Sequence, residues 1–312
     1  MAQSLNLVFC GTPQFAVPTL EKLVEATNVR LVVTQPDRPK GRGLDLVASP
    51  LKQTAERFGL PIYQPEKIKT NEELRAKLQA IAPDAIIVVG YGRIIPTWML
   101  QLPKYGNINL HASLLPTYRG AAPIQWAIAN GETVTGVTTM RIDEGLDTGD
   151  ILLQKEMAIA PEDTAVTLSP KLAAVGADLM IETLRGLEAG AIHPLRQDDA
   201  KATLAPILKK EDGRIDFSRS AQEICNRLRG FQPWPGAFTS FRGRGLNVTA
   251  IKTASEQVLP AQLLVRNSQL FVGCANNGTI ELLELQPEGR KRMSATDFVH
   301  GYRPKTGERV AE

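Results

Sequence analysis

The stretch LNLVFCG, residues 5–11, is a short and nearly continuous apolar run that ends in glycine. Such a run is typical of a β-strand buried on both faces, as the strands of parallel sheets are. Thr12 and Pro13 follow it, and a capping residue before proline predicts the start of a helix, here through residues 15–26. The opening of the chain therefore predicts a strand–helix unit of an α/β fold.

The same alternation continues further along the chain. Apolar runs predict strands at 29–34, 84–90, 107–112, 134–142 and 151–160. Helices are predicted to open at Ser49-Pro50 and at the capping-box pattern of residues 70–73, and a longer helix is predicted at 165–189. Strands and helices in this order predict a mostly parallel sheet with helices on both faces.

The pattern changes after a stretch without hydrophobic period, residues 190–206, which predicts a linker. One helix is predicted at 220–229, and short apolar runs separated by turn residues follow at 236–241, 246–251, 262–266, 270–272 and 279–286. This pattern predicts a small all-β module, and a barrel is one architecture that fits it. The predicted organisation is an α/β domain at 1–189, a linker at 190–206 and a β domain at 207–312.

Composition excludes several classes of protein. The chain has 312 residues, 43% of them hydrophobic and 22% charged, which is the mix of a soluble globular protein. It contains no apolar run of the ~18–20 residues that cross a bilayer, and its first residues lack the pattern of a signal peptide. Three cysteines and three histidines lie far apart, so neither a disulfide framework nor a metal site is expected. We expect a cytoplasmic, metal-free protein without a membrane partner, and a monomer by default.

Charge is divided unevenly between the two halves. Residues 1–206 contain 20 basic and 22 acidic residues, whereas residues 207–312 contain 16 and 11. A near-neutral first half and a basic second half indicate different partners, and a polyanion suits the second.

The stretch NINLHASLLPTYRGAAP, residues 107–123, is the best candidate for chemistry. Asn109 and His111 are two residues apart on a predicted strand, so their side chains share a face at the strand's carboxyl end. An imidazole moves protons near neutral pH and an amide can hydrogen-bond a developing oxyanion, which suits reaction at a carbonyl. The alternative is a structural histidine whose partners lie at the strand end.

Two charged loops accompany this strand. The acidic loop, residues 143–150 (DEGLDTGD), offers Asp147 as a carboxylate that could orient His111, although an ordinary solvated turn is the alternative. The loop at 36–43 (PDRPKGRG) carries three cations, which suit phosphates, although a mobile surface loop has the same composition. Neither a phosphate-binding P-loop nor a dinucleotide fingerprint is present. The glycines of Gly90-Tyr91-Gly92 suit either a flat ligand or a tight turn.

These motifs together resemble the family of formyltransferases that use 10-formyltetrahydrofolate. The shared pattern is N-x-H, then S-L-L-P and R-G, then an acidic D-x-G-x-D-x-G-D-I loop, and it is present at residues 109–120 and 143–151. Members that formylate initiator methionyl-tRNA resemble the chain in three further stretches, which are FCGTPQFAVPTL (9–20), QPDRPKGRG (35–43) and NRLRGFQPWPGA (226–237).

The resemblance implies a Rossmann-like catalytic domain at 1–189 and an OB-like tRNA-binding barrel at 207–312. It implies that Asn109, His111 and Asp147 are catalytic, that 10-formyltetrahydrofolate is the co-substrate, and that initiator methionyl-tRNA is the partner in translation initiation. The folate would lie along Val88, Val89, Gly90, Tyr91, Gly92, Ser113, Leu114, Leu115, Pro116, Asp143, Glu144, Gly145 and Leu146. Among the basic residues, those expected to contact tRNA are Arg38, Lys40, Arg42, Lys209, Lys210, Arg242, Arg244 and Lys291.

Other readings share part of this evidence. A sugar-nucleotide N-formyltransferase would keep the three polar residues and change the acceptor, and the basic loop and tail argue against it. A single-domain purine-pathway enzyme would lack the tail, and a formyl-folate hydrolase would have no use for it. A non-catalytic RNA-binding protein would not need the three polar residues. Trp234, between two prolines, is interpreted as a packed corner of the core rather than as a stacking platform.

Overall fold

A computed structural model describes residues 5–40 and 45–311, and the side chains of Lys40 and Asp45 lie outside that description. The chain divides into two compact units. The first comprises residues 1–123, 134–158 and 169–205, and the second comprises 124–133, 159–168 and 206–312. In the described part of the chain, no helix has the length and apolar character needed to cross a membrane.

The first unit is built on a seven-stranded sheet with helices between the strands. In the described residues, the strands of this unit are β1 (Asn6–Gly11), β2 (Asn28–Val33), β3 (Arg38–Lys40), β4 (Asp45–Val47), β5 (Ile62–Tyr63), β6 (Ala85–Val89), β7 (Asn107–His111), β8 (Val134–Arg141) and β9 (Ile151–Ala158). Of these, β3 and β4 form a separate two-stranded sheet. The sheet order is β5-β2-β1-β6-β7-β8-β9. The first five strands in that order run parallel, and only β8 runs in the opposite direction, pairing antiparallel with β7 and with β9. The predicted mostly parallel sheet is therefore confirmed.

In the described residues, eight α-helices accompany the strands of the two units. They are α1 (Val17–Ala26), α2 (Pro50–Arg57), α3 (Glu72–Ile81), α4 (Thr97–Leu100), α5 (Pro123–Ala129), α6 (Ala165–Glu188), α7 (Ala221–Gly230) and α8 (Ala295–Tyr302). Helix α6 agrees with the long helix predicted at 165–189. It packs closely on β7, because a Cβ at Gly176 would lie 2.6 Å from the Leu110 side chain.

The strand order reverses between β1 and β6. From β1 the chain first proceeds to β2 and β5 on one side, and then returns to place β6 and β7 on the other. Open α/β sheets bind ligands at the carboxyl ends of strands where the order reverses in this way. Gly11 ends β1 opposite Val89 of β6, and Val88 pairs with Asn109 of β7. The predicted site residues of β6 and β7 therefore lie at or next to this reversal point.

The strand interiors form the core. Phe9, Cys10, Ile86 and Ile108 are fully buried, as expected for strands covered on both faces. Burial raises the pKa of the Cys10 thiol far above its ordinary value, so this cysteine is an inert part of the core.

The second unit is an antiparallel barrel. Its strands are β10 (Ala237–Phe241), β11 (Arg244–Ala254), β12 (Leu263–Arg266), β13 (Gln269–Gly273), β14 (Thr279–Pro287) and β15 (Met293–Ser294), in the order β10-β11-β14-β13-β12 with β15 beside β14. The chain's closing segment, residues 308–311, joins the two edges of that sheet. Its backbone bonds to Ser240 at the β10 edge and to Ala261 and Leu263 at the β12 edge.

Local capping corrects two predicted helix starts. Thr12 does not cap a helix, because residues 14–16 first form a 3₁₀ turn and α1 follows with Pro18 in its first turn. Asn71, and not Thr70, caps α3, and its side chain accepts from the backbone N–H of Leu74. Ser49 caps α2 as predicted.

The stretch predicted as a linker is largely built into the first unit. Leu195 pairs with Ile151 of β9, and Thr203 and Ala205 exchange backbone hydrogen bonds with the segment around Arg119. Lack of hydrophobic period predicted a free linker here. The segment is instead ordered by backbone pairing, which leaves no periodic signal in the sequence.

Candidate active site at the end of strand β7

Asn109 and His111 lie on one face at the carboxyl end of β7. The strand is held on both sides, by β6 at Asn109 and by β8 opposite both residues. His111 is buried with 6% of its surface exposed, whereas Asn109 is only half-buried. The amide is therefore accessible beside a fixed imidazole.

The two nitrogens of the His111 ring face two different oxygen atoms. Nε2 lies 2.9 Å from the carbonyl oxygen of Tyr118. A carbonyl can only accept, so Nε2 carries a proton and donates it. Nδ1 lies 3.7 Å from Oδ2 of Asp147, which is too long for a direct hydrogen bond but close enough for charge interaction. In the neutral ring Nδ1 is then the nitrogen with a free lone pair, and it faces the Asp147 carboxylate.

Asp147 is held in an uncommon backbone conformation. Its φ is +53°, in the left-handed region that non-glycine residues seldom occupy. Oδ2 accepts a 2.9 Å hydrogen bond from the backbone N–H of Gly120. The carboxylate is thus oriented toward His111 by the R-G motif that follows the strand.

A buried network that the sequence did not predict supports this loop. The Gln197 amide donates to the carbonyl oxygens of Asp147 and Gly149, at 2.8 and 2.7 Å. Its oxygen accepts two bonds from the Arg119 guanidinium, which also pairs with Asp199. Gln197 lies in the stretch predicted as a linker, where a single amide carries no recognisable signal.

Among the other residues of the acidic loop, some form hydrogen bonds within the fold and one is exposed. Asp143 accepts from the Thr148 hydroxyl and the Gly145 backbone, and Glu144 accepts from Thr97. Leu146 is 65% exposed. Glycine is required at position 149, because a Cβ there would collide with the carbonyl oxygen of Arg141.

The predicted folate residues on β6 present mainly backbone. Val88 and Val89 are buried in the strand, whereas Gly90 and Gly92 are exposed with positive φ. The Tyr91 ring is buried in the hydrophobic core, where burial raises the pKa of its hydroxyl. Its side chain therefore faces away from a ligand at the strand end.

The S-L-L-P stretch shows a similar division. Ser113 is fully buried and donates to the Thr117 carbonyl, and Leu115 packs in the core with its backbone bonded to Thr138 and Gln154. Leu114 and Pro116 remain half-buried. Only the latter two side chains keep surface for a ligand.

The basic arm comprises residues 35–48, and its root, residues 35–37, is tied to the end of β6. The Gln35 amide donates to the Tyr91 carbonyl at 2.8 Å, and the Gln64 amide donates to Asp37 at 2.8 Å. Asp37 also pairs with Lys52 at 2.5 Å. Arg38 is exposed and begins β3, while Arg42 lies outside the described residues.

The predicted tRNA residues of the second unit differ from one another. Lys209, Lys210, Arg244 and Lys291 are exposed. Arg242 instead bonds both carboxylate oxygens of Glu308 and two backbone carbonyls at the end of α8. Its guanidinium is thus engaged in holding the barrel together.

The described residues contain no group of three or more His, Cys, Asp or Glu side chains placed to hold a metal ion. The polar side chains that the structure places together at the end of β7 are those of Asn109, His111 and Asp147.

Comparison with known proteins gives full-length matches. The family model described as formyl transferase matches residues 5–184, and the formyl transferase C-terminal domain matches 207–303. The methionyl-tRNA formyltransferase of Koribacter versatilis is 64% identical over 305 residues, covering 97% of this chain and 98% of the relative. That of Acidobacterium capsulatum is 64% identical over 300 residues, covering 95% and 96%.

A solved structure agrees at the level of the fold. The N-formyltransferase from Helicobacter canadensis, in complex with folinic acid and dTDP-3-aminofucose, is similar with a TM-score of 0.64 at 19% identity. The match covers 91% of this chain and 99% of that one. From its two matched domains and its full-length relatives, we conclude that this chain belongs to the formyltransferase family.

Proposed function

We propose that this chain transfers the formyl group of 10-formyltetrahydrofolate to the α-amine of methionine on initiator tRNA. The observation that carries the proposal is the His111 ring, which donates from Nε2 to Tyr118 and turns Nδ1 toward Asp147 beside Asn109. The acceptor is proposed from the full-length relatives, whose name is methionyl-tRNA formyltransferase.

His111 has the geometry of a proton carrier for this reaction. The amine nitrogen forms a bond to the formyl carbon, the bond from that carbon to N10 of the folate breaks, and one proton passes from the amine to N10. Nδ1 is the free nitrogen of the neutral ring, so it can take that proton and return it. Asp147 stabilises the ring while it is positively charged.

Asn109 supplies the complementary hydrogen bond. Negative charge develops on the formyl oxygen as the amine attacks, and the half-buried amide on the same strand face can donate to it. One such donor is typically worth ~3–4 kcal/mol of transition-state stabilisation.

The residues at the end of β6 fit a flat ligand with amide-like edges. The exposed backbone at Gly90 and Gly92 offers close approach and hydrogen-bonding groups, and Leu114 and the exposed Leu146 offer apolar surface. The folate would supply the formyl group at this position. The buried residues of this set would contribute through their backbone atoms or by supporting the residues that contact the folate. They are Val88, Val89, Tyr91, Ser113 and Leu115.

Nucleic acid is proposed as the larger partner. The basic arm, which includes the exposed Arg38, is anchored at its root. The second unit has four further exposed cations, which are Lys209, Lys210, Arg244 and Lys291. Residues 1–189 would carry catalysis and 207–312 would carry much of the tRNA contact, because the latter hold the excess positive charge.

The experiment is a formyl-transfer assay with the full chain and 10-formyltetrahydrofolate. Three acceptors are compared, namely initiator methionyl-tRNA, elongator methionyl-tRNA and an amino-sugar nucleotide. We expect transfer to the initiator tRNA alone. Transfer to the amino sugar would refute the proposed acceptor, and transfer to none of the three would refute the proposed activity.

A further inference from the structure

The turn after α7, residues 231–236 (FQPWPG), presents an indole ring to solvent. Trp234 at its tip is 55% exposed, which corrects the sequence interpretation of this residue as a packed corner. The turn is closed at its base by a 2.9 Å hydrogen bond from the Gly236 N–H to the Phe231 carbonyl. The tryptophan is thus at the end of a short closed turn rather than in the core.

The base of this turn is firmly packed. Phe231 is 1% exposed, and its ring meets the edge of the Trp126 ring at 5.3 Å between centroids. The Arg227 guanidinium lies over Phe231 at 4.8 Å. Proline on each side of Trp234 restricts the backbone further. An anchored and restricted turn loses little conformational entropy when its exposed ring is covered.

Positive charge lies next to the same turn. The 3₁₀ turn Lys210–Gly213 packs on it, since a Cβ at Gly213 would lie 2.7 Å from the Gly236 carbonyl and 3.2 Å from Pro235. Residues i and i+3 of a 3₁₀ helix eclipse each other, so Lys210 lies on the side of Gly213, about 6 Å along the axis.

Lys209 and Arg214 flank this 3₁₀ turn and are exposed, as is the acid Glu211. Among the described residues, no carboxylate forms an ion pair with Lys209 or Lys210. The carboxylate of Asp212 is used to accept from the Lys209 backbone N–H. Two exposed ammonium groups therefore belong to the segment that packs against Pro235 and Gly236.

An exposed aromatic ring with neighbouring cations is the combination that binds unpaired nucleotides, with the base on the ring and phosphates on the cations. Bases within a duplex are already covered by their neighbours. We propose, on the basis of the proposed function, that Trp234 stacks on an unpaired base of the tRNA while Lys209 and Lys210 contact adjacent phosphates. A purely apolar protein partner would not need the two lysines.

The test measures the Kd of the full chain for initiator tRNA over a series of salt concentrations. Stacking is worth ~1–3 kcal/mol per base, so Trp234→Leu should weaken binding about 5- to 140-fold. Trp234→Phe keeps an aromatic face and should stay within about threefold of the wild type. Leu259→Ala, at a residue of the same unit that is 66% exposed, is the matched control and should bind as the wild type does.

The salt dependence separates stacking from charge. Trp234→Leu should shift the plot of log Kd against log salt without changing its slope, because no phosphate contact is lost. Lys210→Gln should lower the slope by about 1, the value for one phosphate contact. The melting temperature of Trp234→Leu checks that the exposed substitution leaves the fold intact.

Two results would overturn the stacking role. One is a Trp234→Leu variant that binds tRNA within twofold of the wild type, which would assign the ring to another partner. The other is equal weakening in Trp234→Leu and Trp234→Phe. The proposed function is tested separately: it fails if the wild type does not formylate methionyl-tRNA. If the wild type formylates methionyl-tRNA and Trp234→Leu binds tRNA as the wild type does, only the stacking role is refuted.

Discussion

At the scale of single residues, the site depends on which atoms of each side chain are already engaged. The Tyr118 carbonyl occupies Nε2 of His111, and Gly120 occupies one oxygen of Asp147. The sequence could predict Asn109 and His111 as neighbours because a strand has a period of two. It could not predict which imidazole nitrogen is free, because Tyr118 and Gly120 become partners only when the chain turns after β7.

Asn109→Ala is the most direct test of the residue roles. We expect kcat to fall by about 10²–10³, with little change in folate affinity, because the amide acts on charge that develops during reaction. Asn28→Ala, at the amino end of β2, is the matched control and should keep its kcat. Single-turnover kinetics together with a folate binding assay measure both quantities, and an unchanged kcat in Asn109→Ala would exclude its role.

At the scale of elements, the sequence predicted most strands and helices but not how the loops are held. Buried strands such as β1 and β6 carry continuous apolar runs, so their positions could be predicted to within a residue or two. The strands β3 and β4 lie in a segment that was predicted only as a loop, because strands of three residues are too short to show a hydrophobic period. The supporting role of Gln197 could not be predicted from the sequence either, since it depends on the carbonyl oxygens that the fold brings around its amide.

The root of the basic arm has a testable pH dependence. The Lys52 ammonium and then the Gln64 amide hold the pKa of the Asp37 carboxyl below its ordinary value. A pKa lowered by folding means that this carboxylate stabilises the fold above about pH 4, and that the contribution is lost as pH falls through the lowered pKa.

We therefore expect a carboxyl titration followed by NMR to give Asp37 a pKa below ~3.9. Lys52→Met should move that pKa upward, because it removes the largest of its causes. Lys77→Met is the control, since Lys77 pairs with Glu73 on α3 and should leave Asp37 unchanged. A pKa of Asp37 that does not respond to Lys52→Met would contradict the described pairing.

At the scale of the whole molecule, the sequence predicted two differently built parts with different charge. The switch from long alternating elements to short apolar runs predicts a second part from residue 207, and the family model of the C-terminal domain matches residues 207–303. The sequence did not reveal that residues 124–133 and 159–168 belong to the second unit. Such a division depends on contacts between segments that lie far apart in the chain.

The closing segment of the barrel supports a prediction about stability. Val310 is 2% exposed within the barrel core, and Arg242 bonds Glu308 of the same segment. Truncation after Gly307 should lower the free energy of unfolding by several kcal/mol, because it removes a buried side chain and leaves two sheet edges unpaired.

Urea unfolding and size-exclusion chromatography measure this effect, and the truncated chain should also self-associate through its open edges. Arg242→Gln is the graded comparison, and it should cost only about 1 kcal/mol because its ion pair is half-exposed. A truncated chain as stable and as monodisperse as the full chain would contradict the closure.

The way in which the barrel closes also sets an order of events during synthesis. Phe241 of β10 pairs with Val310, so an edge made early in the barrel is covered only by residues made roughly seventy positions later. A ribosome adds about 5–20 residues per second, which leaves that edge open for several seconds on every nascent chain. We expect the emerging barrel to be a natural client for chaperones that bind exposed strand edges, until the closing segment has left the exit tunnel.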